Sequence, residues 1–231
     1  MMVLAIETST MLGGVALMDD ARGLVTEVRL NVKATHSEKL MAEVHYVLGQ
    51  SGVALGELDA LAVAVGPGSF TGLRIAVSTA QGLAFATGVK LVSVPTLEAF
   101  ACSLPFARYP VCPMLDARKK EVYAGVFVFA AGRMERLIPE RAVAAGDLAR
   151  ELAREEGVVF MGEGARMYRT VLTEVLGGRA HFALPGLMVP SPASLARLGM
   201  ERARRGEFTE PAGLAPLYLR KSEAELKWKS T

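Results

Sequence analysis

The sequence predicts an α/β protein built from one unit used twice. Three observations point there. Residues 1 to about 103 read as strand, strand, strand, helix, strand, helix, strand, helix. The breakers Leu104-Pro105 and Tyr109-Pro110 then interrupt the pattern. Beyond them the chain opens again on strands, Val111 to Leu115 and Val122 to Phe129. Alternating strands and helices call for a sheet covered by helices. On this reading 1–103 is one lobe and 104–231 the other, with a helix over 191–205 a candidate to pack back on the first.

Each element has its own signal. Val3 to Ile6, Val15 to Met18 and Leu24 to Val32 are β-rich runs, with Glu7 to Thr10 a polar turn after the first. Thr35 or Ser37 can cap a helix to about Leu48, whose apolar stripe is Leu40, Val44, Val47 and Leu48. Met41 and His45 form a second row beside it. Leu61 to Val65 is uninterrupted and apolar, as in a strand buried on both faces. The loop Gly66 to Gly72 follows, then a helix from about Leu73 to Thr87, a strand from Val89 to Val94, and a helix from Pro95-Thr96 to about Cys102. In the second half, Arg133 to Ile138 and Val158 to Met161 are further strands. Asp147 to Glu155 and Arg166 to Leu176 are helices, and Ser191-Pro192 caps the last helix, to about Arg205. The tail after Gly206 is irregular, with a short strand at Leu217 to Leu219.

Composition excludes several classes. The 231 residues carry 26 Lys plus Arg against 24 Asp plus Glu, a net charge of +2. That balance argues against a strongly basic nucleic-acid binder working alone. Aromatics are 6%, so stacking platforms for single strands are scarce. Hydrophobic residues at 51% and charged residues at 22% are globular proportions. Cys102 and Cys112 cannot form a disulfide framework or a four-ligand zinc site. No run of about 18 apolar residues suggests a membrane span. The first residues lack a basic leader, so the expected compartment is the cytoplasm.

Few segments carry chemistry. Gly66, Gly68, Ser69, Thr71 and Gly72 lie between a buried strand and a helix, where amides and a helix N-terminus favour anions. No Lys follows the last glycine, so this is not a P-loop, and Pro67 removes a donor. A tight turn and an anion site fit the loop equally. Glu7, Ser9 and Thr10 sit on the first hairpin, where actin-like ATPases hold phosphate and metal; a plain polar turn is the better fit. Gly162 and Gly164 flank Glu163 in a strand-to-helix turn that faces adenosine in two-lobed nucleotide folds. Asp116 to Glu121 reads as a solvated turn between strands. His36, His45 and His181 make no metal motif. The helix after the glycine loop is apolar nearly all round, which fits either an internal helix or an interface.

Five stretches closely resemble the TsaB (YeaZ) family of tRNA threonylcarbamoyladenosine synthesis. They are Leu4 to Thr10, Thr35 to Leu40, Gly66 to Ile75, Leu115 to Tyr123, and the C-terminal Pro216 to Arg220. The resemblance implies a two-lobed actin/Hsp70-like (ASKHA, RNase H-like) fold and a non-catalytic role. It implies pairing with a TsaD-like protein through the first two helices, joined by a TsaE-like ATPase. Self-pairing through the same helices is implied when TsaD is absent, and tRNA is met only through the complex. Expected contact residues are Glu38, Met41, His45, Arg74, Val77, Ser78 and Gln81. TsaD carries V-H-H-M-E-G-H where this chain reads Val94 to Phe100, so Thr96 and Phe100 stand at its metal-binding histidines. Glu7 stands where the family usually has Asp, which puts nucleotide binding in doubt. ATP or ADP is expected at most weakly, or at the partner interface. The alternative is a nucleotide-hydrolysing or phosphotransferase enzyme of the actin-like superfamily. A metallopeptidase lacks any ligand set.

Overall fold

The computed structural model describes residues 1–30 and 36–220, with only the backbone of 36–38. Two five-stranded sheets organise the chain. In the first, β1 (Met2–Glu7) lies antiparallel to β2 (Gly13–Asp19), which pairs β3 (Gly23–Leu30). On the other side β1 runs parallel to β4 (Ala60–Gly66), and β4 to β5 (Lys90–Pro95). The second sheet repeats this order. Strands β7 (Glu121–Ala130) and β8 (Arg133–Ala144) are antiparallel on one side of β6 (Val111–Asp116). Strands β9 (Val158–Met161) and β10 (Ala180–Phe182) are parallel on the other. The duplicated unit expected from the sequence is therefore present in both sheets.

Period-two alternation divides the first sheet. Leu4, Ile6, Leu61 and Val63 face α1 (His36–Ser51) and α2 (Phe70–Thr87), meeting Leu40, Val44, Val47, Ala76, Val77 and Ala80. The opposite face carries smaller residues, Val3, Ala5, Ala60, Ala62 and Ala64, under α7 (Pro192–Arg204). These alanines let α7 come close, and a Cβ at Gly199 would overlap that of Ala62. Helix α7 crosses β1, β2, β4 and β5 although it follows the second sheet in sequence. Conversely α3 (Thr96–Ala101) reaches the second sheet, where Leu97 and Phe100 pack with Val111, Leu115, Phe127 and Met161. The last helix of each unit thus helps cover the other unit's sheet. Glu98 of α3 ties the exchange, accepting from Arg202 of α7 (3.0 Å) and Arg136 of β8 (3.3 Å).

Several boundaries differ from expectation. Helix α2 begins at Phe70 rather than Leu73, because Ser69 Oγ caps it by accepting from the Gly72 amide (3.3 Å). Strand β8 runs on to Ala144, and α4 (Ala145–Glu151) ends four residues early in a 3-10 turn. The helix expected over Arg166–Leu176 is two, α5 (Glu163–Met167) and α6 (Arg169–Leu176), broken at Tyr168, which packs against the core. Strand β10 was not foreseen, since three residues are too short to show alternation. Leu217 to Leu219 is not a strand. The β4–β5 register slips at Val65, leaving its carbonyl to accept one bond from the Leu217 amide (2.6 Å), and β4 already has a neighbour on each side. Thr35, one of the two expected caps of α1, lies outside the described residues, as does the side chain of Ser37.

Candidate functional site

The first hairpin and the glycine loop are pressed together. Ser69 N–H donates to the Ser9 carbonyl (2.6 Å), and Thr8 Oγ1 donates to the Gly72 carbonyl (2.8 Å). A Cβ at Gly72 would overlap the Thr8 carbonyl oxygen, and one at Gly68 the Ser9 carbonyl oxygen. Glycine here lets two backbones touch. Gly66 N–H donates to Thr96 Oγ1 (3.2 Å), and Ser69 and Gly72 amides are also engaged, so much of the loop's donor capacity is spent inside the protein. Of the sequence-derived anion set, Glu7, Ser9, Gly66, Gly68 and Ser69 share this junction, Thr71 is exposed on the first turn of α2, and Thr10 Oγ1 donates to the Leu12 carbonyl (2.8 Å). Gly162 and Gly164 belong elsewhere, where each backs onto the Met114 carbonyl of β6.

Glu7 sits at the centre of the junction, 1% exposed. Ser9 N–H donates to its Oε1 (2.7 Å), while Oε2 and Ser9 Oγ have no hydrogen-bond partner. Burial pushes the carboxyl up to about 7, against the opposing pull of Ser9. Thr96 and Phe100 are both fully buried, the first on the Gly66 amide and the second in the core. Among the described residues no group of three His, Cys, Asp or Glu stands together as a metal site. Cys102 and Cys112 are buried, and burial raises both thiols, Cys102 to about 12, so neither is a ready nucleophile.

The other candidate surface is the face of α1 and α2. Met41 and His45 are exposed on α1, beside Tyr46; Arg74 and Ser78 are exposed on α2, with Gly82 and Phe85 further along it. Phe85 is 93% exposed. Val77 does not belong to this surface: it is 5% exposed and part of the core against the sheet. Glu38 lies on α1, with its side chain outside the described residues. Tyr46 and Phe85, which are not among the expected contact residues, are exposed on the same two helices. Their signal was an aromatic side chain off the apolar stripe.

The C-terminal segment straps this face. Gln81 Nε2 donates to the carbonyls of Pro211 (2.7 Å) and Leu214 (3.1 Å), so Gln81 is engaged within the chain. Tyr218 stacks on Phe70 at 5.1 Å and accepts from Arg74 Nε at 2.9 Å. Arg220 then bonds the Ala117 carbonyl (3.0 Å) and Glu121 in the turn between β6 and β7. In that turn Arg118, Lys119 and Lys120 all have positive φ, a strained run for side-chain-bearing residues. The turn read as merely solvated is thus joined to the first lobe through the strap.

Comparison with known proteins fits this architecture. The family model described as TsaD, tRNA N6-adenosine threonylcarbamoyltransferase, matches residues 23–228. The tRNA threonylcarbamoyladenosine biosynthesis protein TsaB of Bacillus subtilis (strain 168) is 33% identical over 229 residues, 99% of this chain and 98% of that protein. The structure of YeaZ from Pseudomonas aeruginosa superposes with a TM-score of 0.81 at 30% identity, covering 94% of this chain and 99% of that one. ROK hexokinase from Thermus thermophilus, at 15% identity, covers 87% of this chain and all (100%) of its own with a TM-score of 0.51, a likeness of fold alone. These likenesses define a two-lobed, actin-like α/β protein of the TsaD family. Within it, the chain belongs to the TsaB family, also called YeaZ.

Proposed function

We propose that this chain is the non-catalytic partner of a TsaD-like enzyme in threonylcarbamoylation of the tRNA adenosine beside the anticodon. The observation that carries this reading is the replacement at Thr96 and Phe100. A buried hydroxyl already bonded to Gly66 and a core phenyl ring cannot do the work of two metal-binding imidazoles. The surface of Met41, His45, Tyr46, Ser78 and Phe85 supports pairing through α1 and α2. Two aromatic rings there are exposed to water without a cover. With TsaD absent, a second copy takes the same face, and a TsaE-like ATPase joins the assembled pair. The setting is cytoplasmic, where tRNA is modified, and among the described residues no helix is long and apolar enough to cross a membrane.

The nucleotide-hydrolysing alternative gains little from the glycine loop, because its glycines serve contact with the hairpin. Reconstitution tests the proposal. A TsaD-like enzyme with its other partners should modify tRNA only when this chain is added, and this chain alone should modify none. ATP turnover by the isolated chain on the order of 1 s⁻¹ or faster, an ordinary enzymatic rate, would contradict it.

A further inference from the structure

We infer that the second lobe carries a binding groove for an unpaired RNA strand, beside β10. The groove is open, about 570 Å³ in volume, and is lined by Arg166, Arg169, His181, Phe182, Leu184 and Met188 among others. That volume is within the range of small-ligand sites, roughly 300–1,000 Å³, and suits a nucleotide unit.

Three observations select the ligand. First, the lining is cationic and contains no acid. Elsewhere in this lobe several arginines end on carboxylates, Arg136 on Glu98 and Glu140, Arg141 on Glu151, Arg150 on Asp147 and Arg220 on Glu121, and Arg179 ends on the Leu176 and Ala153 carbonyls. Arg166 and Arg169 are exposed, and among the described residues neither has a carboxylate partner. Second, flat side chains stand beside the cations, His181 and Phe182 in the groove wall and Tyr109 behind His181. The Arg169 guanidinium lies 4.0 Å from the Phe182 ring centroid. His181 is exposed and stacks on Tyr109 at 4.9 Å with 2° between the planes, and Arg108 lies 5.1 Å from the same Tyr109 ring. Third, Leu184 is 72% exposed and supplies an apolar wall. Phosphate needs the guanidinium groups, and a base needs a flat or apolar face. An acidic protein segment would use the charges but leave the exposed His181 ring and Leu184 without a role. The net charge of +2 for the whole chain conceals this local concentration.

The choice of RNA rests on the proposed place of the chain in tRNA modification; the groove does not. The test is fluorescence anisotropy of a short, labelled, unstructured oligoribonucleotide with the isolated full-length chain at low salt. Binding with a dissociation constant on the order of 10⁻⁴ M or tighter is expected, weakening as salt rises. Arg166→Glu with Arg169→Glu should weaken it at least about tenfold, since two phosphate contacts become repulsive. Both sites are exposed and, among the described residues, neither side chain has a carboxylate partner to lose, and Glu suits position 169 in the first turn of α6, so folding is expected to be retained. Should that variant melt early, His181→Ala provides a second test and should weaken binding at least about fivefold through lost stacking. Arg22→Glu with Arg205→Glu makes the same change of net charge elsewhere and should leave binding within about twofold.

No binding, or equal loss in the two charge-reversed proteins, overturns the groove. Competition by AMP as effective as by the strand would make it a mononucleotide site, and equal competition by polyglutamate an acidic-protein site; either overturns the assignment. None of these results bears on pairing with a TsaD-like protein, which sizing reads separately.

Discussion

A carboxyl at Glu7, held fully buried with one oxygen unpartnered, sets a pH dependence on stability. Its folded value of about 7 lies above the ordinary 4.5, so the folded state holds the proton more tightly than the unfolded chain. Below pH 4.5 both states are protonated and that stability is fully present. It falls as pH rises through about 7, by on the order of 3 kcal/mol. Glu7→Gln stays neutral and can donate to Ser9 Oγ. Its melting temperature should match the parent near pH 4 and exceed it by several degrees at pH 8, given roughly 2–4 °C per kcal/mol at this size. An equal offset at both pH values would show that ionisation is not the cause. Two glycines give an opposed pair. Gly72→Ala forces a Cβ into the Thr8 carbonyl and should destabilise by about 1–3 kcal/mol. Gly82→Ala has open space on an exposed helix face and should stabilise by about 0.5–1 kcal/mol in denaturant melts. The strand-to-helix turn at Gly66–Gly72 is legible in the sequence, because three glycines stand between an apolar run and a helix; that they serve contact with the hairpin rather than an anion is not. Nor is the burial of Glu7, because the same polar residues would serve an open hairpin, and only the loop arriving from 60 residues downstream closes over them.

At the scale of elements, α2 shows how far apolar patterning reaches. Its apolar circumference leaves two readings, internal helix or interface: Ala76, Val77 and Ala80 are core, as the first requires, while Phe85 is open to water and the second is a proposal. Residue spacing leaves Val77 open, since it adjoins Ser78 on a helix whose polar side is a narrow row of Arg74, Ser78 and Gln81. The C-terminal strap is illegible for a related reason: it is held by isolated side-chain contacts and single backbone bonds, which leave no period in the sequence. Leu214 is nevertheless 3% exposed and joins the first core. Leu214→Ala should therefore cost about 2–5 kcal/mol in denaturant melts, as for any core leucine. A change below about 0.5 kcal/mol would mean that the strap is a loose surface segment.

For the whole molecule, the repeated strand order is readable because both halves restart with strands, and the return of the 191–205 helix to the first lobe is among the expectations, whereas the crossing of α3 to the second sheet is not. Nothing local in Ser191 to Arg205 names the surface it meets there; the complement is the row of small residues Ala60, Ala62 and Ala64, met by Gly199. We propose a lobe boundary between 103 and 104, and the exchange predicts that lobes so divided do not fold alone. Residues 1–103 expressed without α7 should lack cooperative melting, because Val3, Ala5 and Ala62 would face water. Supplying residues 185–220 as a second chain should restore it. The central claim concerns assembly, and size-exclusion chromatography with light scattering of this chain, alone and mixed with a TsaD-like protein, tests it most directly. A one-to-one complex should replace self-association, and it should be lost in the protein carrying Met41→Asp and Phe85→Asp while melting is unchanged. A chain that elutes alone and monomeric in both cases would contradict it.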